Sequence, residues 1–218
     1  AGGIAGTLYG KIVNCVNKAK ISTYGTTGAG GVAGYAYPGA SLENCSNAGS
    51  VTAKTNYAGG ILGQAPANAR VSVKGCANSG AVKGASKNGG VVGSASADIV
   101  DCSNSGAVTS TTTYSAGIIG EALATSSLSG CSNSGVLTSP QYIGGIVAMS
   151  TAHTAAAPLN ISGCYNTADI TAGAKGYAGG LCGSLNNYVN ISKCYNTGNV
   201  SGSATTTGGI RLAGLVSS

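Results

Sequence analysis

The chain has 218 residues, with 38 glycines, 7% charged residues, no Trp, no Phe and a net charge of +6. A hydrophobic content of 43% with so little charge excludes an intrinsically disordered composition. The nine Lys and two Arg are scattered without a basic run, which argues against nucleic-acid binding, and no apolar run approaches the ~20 residues that span a bilayer.

In chain order, three short apolar pieces recur. The first is a glycine motif, GGIAG at its first occurrence, whose apolar member is Ile4, Val32, Ile61, Val91, Ile118, Ile146, Leu181 and Ile210. The second places an apolar residue three before a cysteine: Ile12, Leu42, Val73, Ile99, Leu128, Ile161 and Ile191. The third follows that cysteine and ends in Ile21, Val51, Val82, Val108, Leu137, Ile170 and Val200. Pieces rich in β-branched residues and separated by Gly, Asn and Ser predict strands broken by turns, and no stretch carries a sustained helical period.

The cysteines that punctuate this pattern are Cys15, Cys45, Cys76, Cys102, Cys131, Cys164 and Cys194, spaced by 30, 31, 26, 29, 33 and 30 residues. A fixed period of this size predicts stacked units, not one globular core. Three strands in about 30 residues fit one coil of a parallel β-solenoid better than a propeller blade, which needs ~40 residues and four strands. The expected fold is therefore all-β: a single parallel β-solenoid over residues 1–218, with about seven coils of three short strands. At ~4.8 Å per coil it forms a rod of roughly 35 Å. The chain begins within a glycine motif, so it is expected to be a fragment or processed part of a longer protein.

Two residues after each of the seven cysteines stands Asn17, Asn47, Asn78, Asn104, Asn133, Asn166 or Asn196. Stacked asparagines pass amide hydrogen bonds from coil to coil, and Asn also tolerates the left-handed backbone of a tight corner. The cysteines are expected to form a column of buried, unreactive thiols. Parallel side chains ~4.8 Å apart exceed the ~3.8 Å Cβ separation of a disulfide. Cys182 stands where other repeats have Ala33, Leu62, Val92, Ile119 or Val147 and is one more apolar substitute. Zinc is not expected without a CxxC pair, and GGIAG, with no following helix, is not expected to hold phosphate; no cofactor is implied.

The repeat unit, seen in CSNAGSVTAKTNYAGGILG and CYNTGNVSGSATTTGGI, resembles the GLUG-type repeats of bacterial surface proteins. That resemblance covers nearly the whole chain. It implies a secreted, surface-exposed, adhesin-like repeat region, a family also found alongside IgA-peptidase-type enzymes, and it brings no catalytic residues. GGIVA, with Ala148, and GGIRL, with Leu212, depart from the pattern.

Five acids are present: Glu43, Asp98, Asp101, Glu121 and Asp169. They show no facing pair of the kind glycoside hydrolysis requires, and His153 has no evident acid/base partner. Glu43 falls in the column of Lys74, which predicts an ion pair. Tyr57, Tyr114, Tyr142 and Tyr177 recur three before the second glycine and are candidate glycan or partner contacts, since an aromatic ring stacks on sugar. Ser22, Thr52, Lys83, Thr109, Thr138, Thr171 and Ser201 form a hydroxyl-rich column. An ice-binding face would carry Thr-x-Thr on every coil, and only Thr109 and Thr111 comply. Insertions at 64–70 and 148–160 fall on one edge, which in solenoids often marks a binding face. The expected role is a non-enzymatic extracellular structural or adhesive module, a rigid spacer or display scaffold on a bacterial surface. The alternatives are a carbohydrate-active β-helix enzyme or an end-to-end stacking filament subunit. Expected partners are host or matrix glycan or protein, adjoining domains, or a second copy.

Overall fold

A computed structural model describes residues 1–173, 176–186, 188–202 and 211–215. It is a parallel β-solenoid without helix among the described residues, built as five parallel sheets of seven strands each. The first sheet runs from Ala5–Leu8 to Cys182–Ser184, the second from Lys11–Val13 to Val189–Ser192 and the third from Val16–Asn17 to Tyr195–Asn196. The fourth runs from Ile21–Thr23 to Val200–Gly202 and the fifth from Ala29–Gly30 to Arg211–Ala213.

The three apolar pieces thus resolve into five strands per coil. The glycine motif splits into a strand ending at its first glycine and another beginning after its first apolar residue, as in Ala58–Gly59 and Leu62–Gln64. The two residues after each cysteine form a strand of their own, as in Ala77–Asn78. Such short strands pair with the strands of neighbouring coils, so position in the repeat, not local propensity, specifies the structure.

Alternation along each strand sends the repeat's apolar residues inward, where they form two clusters. The larger collects the first two sheets, the apolar members of the glycine motif and the cysteine column. The smaller joins Val51, Val82, Val108, Leu137 and Ile170 of the fourth sheet to Ala29, Ala58, Ile143 and Ala178 of the fifth.

The backbone turns left-handed at the residue before each of the seven cysteines of the column. Asn14, Asn44, Asp101 and Lys193 have φ of 51–55°, and Gly75, Gly130 and Gly163 have φ of 60–63°. The tight corner expected at the Asn column lies there instead; none of the seven ladder asparagines has positive φ. Asn, Asp and Gly are the residues that adopt this conformation at least cost.

At the far end the strand register corrects the sequence alignment. Gly179 pairs with Ala213, and Leu181 N donates to Leu215 O. Ala213, Gly214 and Leu215 therefore occupy the glycine-motif columns assigned above to GGIRL. Gly208, Gly209 and Ile210 lie outside the described residues.

Candidate functional site

The asparagine column is a continuous hydrogen-bond ladder. Each Nδ2 donates at 2.7–2.8 Å to Oδ1 of the next, from Asn17 through Asn47, Asn78, Asn104, Asn133 and Asn166 to Asn196. The same Nδ2 also donates to the carbonyl two residues on, as from Asn104 to Gly106 at 2.8 Å. Both amide protons are thereby used in a buried setting where an unmet donor is expensive. The ladder runs along the seam between the two apolar clusters, because Asn47 lies between Cys45 and Val51 and abuts Gly31, which separates Ala29 from Val32.

The second glycine of each motif exists to admit that ladder. A Cβ placed on Gly60, Gly90 or Gly117 would stand 2.2 Å from Cγ of Asn78, Asn104 or Asn133. The two motifs that define the repeat are two halves of one contact.

The cysteine column packs beside it. All eight cysteines are free; six are buried, while Cys15 and Cys194 at the two ends are half-buried. Cys76 Sγ donates to Lys74 O and accepts from Cys45 N at 3.4 Å, a pattern repeated along the column. Cys182 takes the apolar position expected for it, paired with Val147 in the first sheet. A side-chain hydrogen bond to Cys102, with burial adding, pushes the Cys131 thiol up to about 12. Burial raises Cys182, and Cys76 moves the other way through its side-chain hydrogen bond to Cys102.

Thiol titration is expected to find eight thiols in denaturant and only slow, end-coil reactivity in the native protein; fewer than eight in denaturant would mean that some are bridged. Thiols raised in the fold from an ordinary value of 9.0 release fewer protons than the unfolded chain above that pH. The thiols' contribution to stability should be constant below pH ~9 and fall toward pH 12, as thermal unfolding across that alkaline range would show.

The acids are engaged in local pairs. Glu43 shares a register position with Lys74, but its ion pair is with Lys11 of the preceding coil, at 2.8 Å. The sequence alignment found the column and missed the partner, because the nearer lysine stands two residues out of register. Asp98 accepts from Arg70 at 3.1 Å and Ser127 at 2.7 Å. Asp169 accepts from Asn199 N at 2.8 Å, and the Oδ1 of left-handed Asp101 points over Gly130. Glu121 is buried, bonded to Lys87 at 2.9 Å and Ser94 at 2.7 Å. Replacing Lys87 by Met would strand that carboxylate and is expected to cost about 2 kcal/mol in thermal unfolding; a change below ~0.5 kcal/mol would contradict the pairing.

Lys87 also belongs to the tyrosine column, with its Nζ 5.5 Å from the Tyr57 ring centroid. Above it Tyr114 stacks on Tyr142 at 4.8 Å and Tyr142 on Tyr177 at 4.9 Å. All four tyrosines are half-buried. Tyr114, Tyr142 and Tyr177 turn ring faces toward one another, while Tyr57 lies against Lys87.

The hydroxyl column forms the outer face of the fourth sheet in the register expected, from Ser22 through Thr52, Lys83, Thr109, Thr138 and Thr171 to Ser201. Two shallow hollows of about 400 and 540 Å³ lie along it, the first over Ser22, Thr52 and Lys83, the second over Thr138 and Thr171. The segments that leave this face, 53–57, 84–87 and 111–114, carry Tyr57, Lys87 and Tyr114, so the face and the tyrosine column share a corner. The two insertions meet on the opposite edge, where Arg70 and Pro158 line a recess of about 200 Å³. His153 is buried there, with Nε2 3.3 Å from Ala122 O.

These features define a class of protein: a parallel β-solenoid repeat whose coils are joined by an interior Asn ladder. More particularly, residues 25–52 match the GLUG motif. A crystal structure of "a putative immunoglobulin A1 protease from Bacteroides ovatus" shares the fold at a TM-score of 0.69 and 17% identity, covering 93% of this chain and 67% of that one. No curated protein sequence matches the chain.

Proposed function

We propose that this chain is a non-enzymatic extracellular repeat module, a rigid spacer and display scaffold on a bacterial surface with an adhesive role. The observation that carries the reading is the unbroken Asn ladder: it repeats one interior contact in every coil, which leaves the outer faces and loops free to vary. The acids support it, since Glu43, Asp98, Glu121 and Asp169 each hold a local structural partner. The name of the Bacteroides ovatus neighbour raises a proteolytic reading and its β-helix a carbohydrate-active one; at this identity the likeness speaks for the fold alone. Incubation with a polysaccharide panel and with immunoglobulin A1 tests this directly. Saturable binding without product is expected, and released sugar or cleaved chain would overturn it.

A second reading concerns self-association. In the first coil Ile4 and Val16 are 46% and 56% exposed, and the sheet edges beside them are unpaired in the described chain. Another coil, from an adjoining segment or a second copy, fits against them. Light scattering that rises with concentration supports axial stacking; a monomer throughout removes it.

A further inference from the structure

We infer that the groove on the outer face of the fourth sheet, across the first four coils, binds an anionic polysaccharide lying along the rod axis. The inference rests on the adhesive reading above and names its ligand class. Three observations point to it. The groove, about 400 Å³, is concave and open and crosses successive coils at Ser22, Thr52, Lys83 and Thr111. It therefore offers hydroxyls that both donate and accept, Ser22 and Thr52 one strand spacing of ~4.8 Å apart and Thr111 beyond Lys83, to a polymer that repeats its own hydroxyls.

The charge there is of one sign. Lys54 and Lys83 are exposed and line the groove, and neither belongs to any of the three ion pairs among the described residues, which engage Lys11, Arg70 and Lys87. No acid lines it. Lys83 within the hydroxyl column, with Lys54 beside it, is what a ligand carrying both carboxylates and hydroxyls would match.

Tyr24 completes the site at its end. It is 79% exposed, lies in the groove lining, and holds Lys54 Nζ 5.0 Å from its ring centroid. The contact fixes the lysine over the groove while leaving most of the ring open to the apolar face of a sugar. Unlike Tyr114 and Tyr142, whose faces are taken by neighbouring rings, Tyr24 has no ring stacked on it among the described contacts.

Binding of polygalacturonate, with neutral dextran and single-stranded DNA of matched length as comparators, tests the site by calorimetry. The expected result is saturable binding of polygalacturonate, none of dextran, and weakening as salt rises. Lys54→Ala and Lys83→Ala should each weaken it about fivefold, the effect of losing one exposed charge contact. Lys74→Ala, an exposed lysine of the second sheet, should leave it unchanged. Circular dichroism on each variant verifies the fold. Equal binding by all three lysine variants, equal binding of DNA, or no binding of polygalacturonate would overturn the groove while leaving the module reading intact. Release of shortened galacturonate would instead overturn the non-enzymatic reading.

Discussion

Replacing Asn104 by alanine is expected to destabilise the protein by about 3–5 kcal/mol in denaturant unfolding. Asn104 is 2% exposed and sits mid-ladder. It accepts from Asn78 and donates to Asn133 and Gly106, each at 2.8 Å. Its loss leaves an amide proton of Asn78 and the Gly106 carbonyl buried without partners, at ~1–3 kcal/mol each, and removes a rung between neighbours. Because coils contact only adjacent coils, the break also uncouples the two halves, so the transition should broaden or split. Asn17→Ala, at the first coil where the ladder has one neighbour, should cost about 1–2 kcal/mol. Equal effects at the two positions, or less than ~1 kcal/mol at Asn104, would mean that the ladder does not hold the coils together.

The second large effect is steric. Gly90→Ala would place a Cβ 2.2 Å from both Asn104 Cγ and Gly117 O. One is the ladder and the other is backbone of the next coil, so neither can rotate away. Overpacking of this kind is expected to cost about 3 kcal/mol or more, since it spreads the coils and stretches ladder bonds on both sides. Gly10 is a built-in control, because a Cβ added there meets nothing within 4 Å. Gly10→Ala should change stability by less than about 1 kcal/mol. Thermal unfolding of the pair distinguishes a ladder-clearing glycine from one that is merely permissive; the reverse order would refute the assignment.

Interior features were legible in the sequence because they repeat. Seven Cys-x-Asn motifs with a common spacing announced a solenoid and an Asn ladder, and β-sheet register placed both columns as expected. The finer division into five strands was not legible, since pairs such as Ala58–Gly59 and Val16–Asn17 are too short and too glycine- or asparagine-rich to show a period. The left-handed corner carried a readable signal that the reading passed over: Asn14, Asn44, Gly75, Asp101, Gly130 and Gly163 all precede a cysteine and belong to the residue types that favour positive φ. The relation between the two glycines and the Asn column needed three dimensions, because Gly60 and Asn78 are brought together only by stacking.

Surface features were harder to read for the same reason that the interior was easy. Whether Glu43 pairs with Lys74 or Lys11 depends on side-chain reach across coils, not on alignment. The tyrosine row was visible, but only geometry shows that Tyr114, Tyr142 and Tyr177 spend their faces on each other. The hydroxyl face was visible too; its concavity and its unpaired lysines were not.

Side-chain amide hydrogen exchange, followed by NMR on asparagine Hδ2 protons, tests the ladder most directly. The ladder predicts strong protection at Asn47, Asn78, Asn104, Asn133 and Asn166, weaker protection toward the ends at Asn17 and Asn196, and fast exchange at exposed Asn14. Exchange at Asn104 as fast as at Asn14 would contradict it.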